Sequence, residues 1–131
     1  MSRIVISGSM QFLNEMKKYK RLIEKKGFTV ILPEEDNWDK ITPEQINNFK
    51  RIVSKRYFDI IADANTTALL VVNSVKKGVK NYIGANTFAE IAIAFYFEKK
   101  IYLLNDIYGP YSDELLAWNV IPLKGNLNLL N

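Results

Sequence analysis

Thr67-Ala68-Leu69-Leu70-Val71-Val72 carries no charge and is apolar at every position after Thr67. A strand that is apolar on both faces has to be covered on both, which is the condition of a central strand in a parallel sheet. Arg3-Ile4-Val5-Ile6-Ser7 has the same character and is broken by Gly8-Ser9. Phe28-Thr29-Val30-Ile31-Leu32, ended by Pro33, and Ile101-Tyr102-Leu103-Leu104 read as further strands. Val120-Ile121-Pro122-Leu123 reads as a fifth, at the edge of the sheet because Pro122 has no N–H to give a ladder.

The segments between these strands have helical spacing. Phe12, Met16, Tyr19 and Ile23 fall on one helix face, and Gly27 stands where such a helix stops. Thr42-Pro43-Glu44-Gln45 has the form of a helix start, with Thr42 as cap and Gln45 completing a capping box. Ile46, Phe49, Val53 and Ile60 follow on one face, and this helix is expected to run to about Ala64. Thr87 is expected to open a helix running from Phe88 to about Phe97, apolar almost all round. Such a helix needs more cover than one sheet face supplies, which predicts a homodimer or larger homo-oligomer. Ser112-Asp113-Glu114 starts a short helix through Trp118. Residues 34–41, with Trp38 among them, and 73–86 read as loops, and Leu127, Leu129 and Leu130 need a place to dock.

Strand and helix alternation of this kind predicts an α/β fold: a single three-layer domain over residues 1–131 with a mostly parallel five-stranded sheet, flavodoxin- or Rossmann-like. Right-handed crossovers favour the strand order 2-1-3-4-5. The ligand crevice of such a sheet lies at the C-terminal ends of strands 1 and 3, where the Gly8-Ser9 loop and the loop from Asn73 meet.

Composition narrows the chemistry. The chain has no histidine, so serine–histidine and cysteine–histidine catalysis are excluded, and proton transfer near neutral pH falls to Asp, Glu, Lys, Tyr or water. It has no cysteine, so neither a disulfide nor a thiolate metal site is possible. No apolar run reaches the length of a membrane span, no signal pattern opens the chain, and the expected location is the cytoplasm. The net charge of +4 comes from basic residues scattered over helix faces, which does not make a nucleic-acid footprint.

Several groups at the expected crevice carry two readings. Ser7-Gly8-Ser9 is either a capped strand-to-helix turn or a loop whose N–H groups and Ser9 hydroxyl hold an anion. Thr87 and Glu90, three apart, form a capping box or aim a carboxylate into the crevice, with the helix dipole keeping Glu90 ionised. Asp59 and Asp63 are solvated helix-end residues or carboxylates near strand 3. Tyr82 packs the loop or stacks on a planar ring, and Lys76, Lys77 and Lys80 read as solvated.

Ile4-Val5-Ile6-Ser7-Gly8-Ser9-Met10 resembles the opening of the nucleoside 2-deoxyribosyltransferase-like proteins. So do Leu70-Val71-Val72-Asn73 and the block from Asn81-Tyr82-Ile83-Gly84 through Asn86-Thr87-Phe88-Ala89-Glu90 to Ala94, and the ending Lys99-Lys100-Ile101-Tyr102-Leu103-Leu104. The resemblance is clearest in a subgroup of uncharacterised proteins carrying a similar block. The resemblance implies cleavage or transfer at the N-glycosidic bond of a nucleoside or nucleoside 5′-monophosphate, with no metal or organic cofactor. It implies Glu90 as the nucleophile, with Asp59 or Asp63 as weaker candidates for handling protons. It implies a substrate surface of Gly8, Ser9, Met10, Asn73, Tyr82, Gly84, Asn86 and Thr87, the glycine–serine loop at the sugar or phosphate end. Gln11 stands where related hydrolases have an arginine, and Gly84 and Asn86 where the transferases have acidic residues. A nucleotide-binding module without catalysis, and an assembly protein built on its aromatic helix, are the rival readings.

Overall fold

A computed structural model describes residues 2–35 and 38–130, with Trp38 described by its backbone alone. The loop expected over 34–41 therefore lies partly outside the described residues, as does the Trp38 side chain. The strands are β1 (Arg3–Ser7), β2 (Thr29–Ile31), β3 (Thr66–Val71), β4 (Lys100–Leu103) and β5 (Ile121–Pro122). All pair in parallel, in the order β2-β1-β3-β4-β5. The helices are α1 (Leu13–Glu24), α2 (Ile46–Ala62), α3 (Ala85–Tyr96) and α4 (Ser112–Ala117).

The apolar runs are apolar because both sheet faces are covered. Ile4, Ile6, Ala68, Leu70, Val72, Tyr102 and Leu104 face α1, with Phe12, Met16 and Ile23, and the chain's end, with Leu130. Their alternate neighbours Val5, Leu69, Val71, Ile101 and Leu103 face α2, α3 and α4. Leu127 packs beside Leu130 on the α1 face while Leu129 stays exposed, so two of the three tail leucines dock. β5 takes the edge, as Pro122 requires.

Chain order places the crevice. β1 leads through α1 to β2 on one side, and β2 leads through α2 back across β1 to β3 on the other. The direction of travel reverses between β1 and β3, which leaves their C-terminal ends uncovered by a crossing connection. Ser7 pairs with Val71 there, and the Val72 N–H donates to the Ser7 carbonyl at 2.8 Å. A β-carbon on Gly8 would lie 2.9 Å from the Val72 carbonyl oxygen, so this approach of two strand ends admits glycine alone.

The boundaries of two helices differ from expectation. α2 begins at Ile46, after a turn in which Gln45 N–H donates to the Thr42 carbonyl and the Gln45 side chain accepts from the Thr42 N–H. Half of the expected capping box forms, but it closes a turn ahead of the helix. The core face of α2 is Tyr57 and Ile61 rather than Ile46, Phe49 and Val53. The helix has 17 residues, about 26 Å at 1.5 Å each, against about 20 Å for the six of β3, so its first turns overhang the end of the sheet. α3 begins at Ala85, with Gly84 as its cap, two residues before Thr87.

Candidate functional site

The overhang of α2 roofs a cavity of about 180 Å³ at the C-terminal end of the sheet. Gly8 and Met10 line it from the end of β1, and Ile31 to Glu34 from the end of β2. Val53, Ser54, Arg56, Tyr57, Phe58 and Ile60 come from α2, and Asn86, Thr87 and Glu90 from α3. Asn86 and Glu90 stand four apart and Thr87 and Glu90 three apart, so the three share one helix face.

Glu90 is the acidic centre of the cavity. It is the sixth residue of α3 and lies in the second turn, where the field of the helix terminus has faded. It makes no capping box with Thr87. Its Oε1 instead accepts a hydrogen bond from the Ser7 hydroxyl, across the gap between α3 and β1. Burial raises its pKa from 4.5 to about 7, while the Ser7 hydrogen bond works in the opposite direction. The helix dipole is expected to help keep Glu90 ionised, but desolvation outweighs it and moves the carboxyl up toward neutral pH. The Tyr57 hydroxyl donates to the Ile6 carbonyl nearby. Burial, and next the Glu90 charge, push the Tyr57 pKa well above its ordinary value, so this hydroxyl stays protonated.

The other expected residues divide. Gly8, Met10, Asn86, Thr87 and Glu90 come together in the cavity. Ser9 caps a single 3-10 turn, Met10–Phe12, that precedes α1. Its hydroxyl oxygen accepts the Gln11 N–H at 3.4 Å and its carbonyl accepts the Phe12 N–H at 2.9 Å, so these two N–H groups already have acceptors. Asn73 is fully buried and spent on structure: its side chain donates to the Asp106 carbonyl at 2.8 Å and accepts the Asn105 N–H at 2.9 Å. Tyr82 lies against Gly84, its hydroxyl 3.2 Å from where a β-carbon would stand, and edge-on to Tyr108 at 5.9 Å.

Asp59 and Asp63 do not reach the cavity. α2 runs from the C-terminal end of β2 to the N-terminal start of β3, so its last residues lie at the opposite end of the sheet. Asp63 lies 3.5 Å from the Arg3 guanidinium at the start of β1, and Asp59 is exposed.

Ser7, Tyr57 and the cavity wall of α2 escaped the sequence reading. Ser7 reads as the last residue of a strand, and the expected stripe of Ile46, Phe49, Val53 and Ile60 leaves out Tyr57. Lys76 departs from its expected solvated state. Its ammonium donates to the Ser9 hydroxyl oxygen at 3.3 Å and sits 4.9 Å over the Tyr82 ring. Among the described residues, no group of three or more carboxylate, histidine or cysteine side chains stands together to hold a metal ion. No helix among them is long and apolar enough to cross a membrane.

A parallel sheet of order 2-1-3-4-5 with a carboxyl at its switch point defines a Rossmann-like α/β fold. No protein-family model matches the chain, and no curated protein matches it. Among solved structures, the CMP N-glycosidase BcmB of Clostridium botulinum shares the fold, with a TM-score of 0.55 over 92% of this chain and 87% of that one, at 22% identity.

Proposed function

We propose that the protein cleaves, or transfers a sugar at, the N-glycosidic bond of a nucleoside or nucleoside 5′-monophosphate. The observation that carries the reading is the Glu90 carboxyl, held by Ser7 within a cavity that α2 roofs. The shared fold with a CMP N-glycosidase supports the same class of reaction.

In the first step a Glu90 carboxylate oxygen bonds to the anomeric carbon as the bond from that carbon to the base nitrogen breaks. The electron pair leaves with the base, which takes up a proton from water; the water or base that attacks in the second step gives a proton back to solvent. In the second step water, or another base, attacks the anomeric carbon and releases the carboxylate, as in retaining glycosidases. The apolar walls Ile31, Leu32, Pro33 and Phe58 suit the face of a planar base. Tyr57 and Ser7 remain neutral hydrogen-bonding groups beside the nucleophile, and the charged lining residues Glu34 and Arg56 pair with each other at 3.1 Å.

A chromatographic screen of nucleosides and nucleoside 5′-monophosphates, read for free base, tests this reading. Turnover is expected for at least one substrate. Glu90→Gln is expected to lower it by roughly a thousandfold, about 4 kcal/mol of barrier. A sugar-fluorinated analogue is expected to leave a sugar-sized mass on the peptide that holds Glu90. Binding without base release would return the protein to a nucleotide-binding module, and unchanged turnover in Glu90→Gln would remove the nucleophile.

A further inference from the structure

We infer that Lys76 makes the protein selective for substrates with an anionic group on the sugar, a 5′-phosphate in preference to a free 5′-hydroxyl. The inference rests on the glycosidic reading above and adds to it the substrate class.

Lys76 differs from its neighbours in how it is held. Lys76 and Val79 exchange backbone hydrogen bonds of 3.0 and 2.9 Å across a two-residue turn. Lys77 and Gly78 in that turn have φ of +49° and +77°, the pattern of a tight hairpin turn. The stretch expected to be an unstructured loop therefore contains a rigid corner. Lys77 and Lys80 are exposed around it, whereas Lys76 is half-buried and folds back onto Ser9 and the face of Tyr82. Ordering a lysine costs side-chain entropy, and this one is ordered before any ligand arrives.

Among the described residues, no carboxylate forms an ion pair with the charge so held. The ion pairs among the described residues are Arg3–Asp63, Lys17–Glu35 and Arg56–Glu34, and Lys76 is in none of them. Glu15, the carboxylate tied to this loop, accepts from the Ser74 hydroxyl at 2.6 Å instead. The partners of the Lys76 ammonium among the described residues are a hydroxyl oxygen and an aromatic face, both weak for such a group.

Ser9 adds a donor at the same point. A hydroxyl has two acceptor positions and one proton. The Ser9 oxygen accepts from the Gln11 N–H and from Lys76, and neither bond uses its own proton. Lys76 and Ser9 thus offer donors, one of them charged, and no acceptor, which is the complement of an anion.

The position suits a group on the sugar. Ser9 stands between two residues of the cavity wall, Gly8 and Met10, and two residues beyond Ser7, which holds Glu90. Tyr82 beneath the ammonium touches Gly84, the cap of the helix that carries Glu90. Two residues of chain reach about 7 Å at most, the scale of the few bonds between an anomeric carbon and a 5′ substituent.

Calorimetry tests the inference in two arms. Nucleosides and their 5′-monophosphates are titrated into Glu90→Gln protein, which does not consume them, and ribose and ribose 5-phosphate into the wild type. Each arm is repeated with Lys76→Met, with Lys76→Arg, and with Lys77→Met as the control. Monophosphates are expected to bind at least tenfold tighter than nucleosides. Lys76→Met is expected to lose ten- to a hundredfold for phosphorylated ligands only, Lys76→Arg to restore most of it, and Lys77→Met to change little. Equal affinity for nucleoside and monophosphate, or equal effects of Lys76→Met and Lys77→Met, would overturn the inference and leave the glycosidic reading standing. Lys76-dependent capture of ribose 5-phosphate with no binding of any nucleotide would sustain the anion site and sink the glycosidic reading.

Discussion

Glu90→Gln should stabilise the protein at alkaline pH. The wild-type carboxyl has a pKa of about 7 when folded, raised by burial from its ordinary 4.5. Between these values the folded state holds a proton that the unfolded state has lost. The stability this provides is fully present below pH 4.5 and is lost as pH rises through 7. At about 1.4 kcal/mol for each pH unit, the loss between pH 4.5 and pH 8 amounts to about 3 kcal/mol. This is an upper figure, because the carboxyl lines an open cavity rather than the packed core. Glutamine has the shape of glutamate and still accepts from Ser7, but it never ionises. The stability of Glu90→Gln relative to wild type should therefore rise by up to about 3 kcal/mol from pH 4.5 to pH 8, or roughly 10 °C in relative Tm for a chain of this size. Urea titrations of both proteins at half-unit pH intervals give the difference directly. Parallel stability curves over this range would refute the claim that Glu90 is buried at an electrostatic cost.

Three further outcomes are expected. Ser7→Ala removes a hydrogen bond that lowers the Glu90 pKa, so the rising limb of kcat/KM against pH, expected near 7 for an ionised nucleophile, should move upward; an unchanged limb would show that Ser7 does not act on Glu90. Gly8→Ala places a β-carbon 2.9 Å from the Val72 carbonyl, which should cost about 1–3 kcal/mol in urea unfolding and weaken ligand binding; a neutral substitution would show that the strand ends separate freely. Phe95, Tyr96 and Phe97 are 45%, 77% and 45% exposed, and a second copy of the chain is expected to cover them: light scattering at micromolar concentration should find at least a dimer and Tyr96→Glu a monomer, whereas a monomeric wild type would refute this.

The fold was legible because its signals are local and repeated. Five apolar runs, two of them ended by Gly8-Ser9 and Pro33, imply five strands, and alternation with helical spacing implies a parallel sheet. Pro122 places the edge strand by its missing N–H alone. The stripe on α1 was equally direct, since Phe12, Met16 and Ile23 are buried against one sheet face. The stripe on α2 misled because periodicity shows a helix face without showing what that face meets. Val53 faces a cavity and Ile61 the core, and only the length of the helix relative to the sheet separates the two. α3 gave a related surprise. Part of its aromatic surface is covered from within, because Trp118 stacks on Phe95 at 4.9 Å and on Phe88 at 5.5 Å.

The site was half legible, and the missing half has a common physical cause. Gly8 and Glu90 announce themselves by residue type at an element boundary. Ser7 and Lys76 are placed in the candidate site by partners distant in sequence: Ser7 by Glu90, and Lys76 by Ser9. Spacing along the chain carries no trace of such pairings. Topology carries some, and Asp63 illustrates it. A helix that crosses from one strand to a parallel neighbour must end at the N-terminal edge of the sheet, so a carboxylate on its last turn is barred from the C-terminal crevice whatever its chemistry. The same rule brings the end of β1, the hairpin corner after β3 and the first turns of α3 to one place, since each begins at the C-terminal end of a strand. Lys76 lies on that corner and Glu90 on that helix. Their chemistry therefore meets on one side of the sheet, with Ser7, Gly8 and Ser9 as the bridge between them.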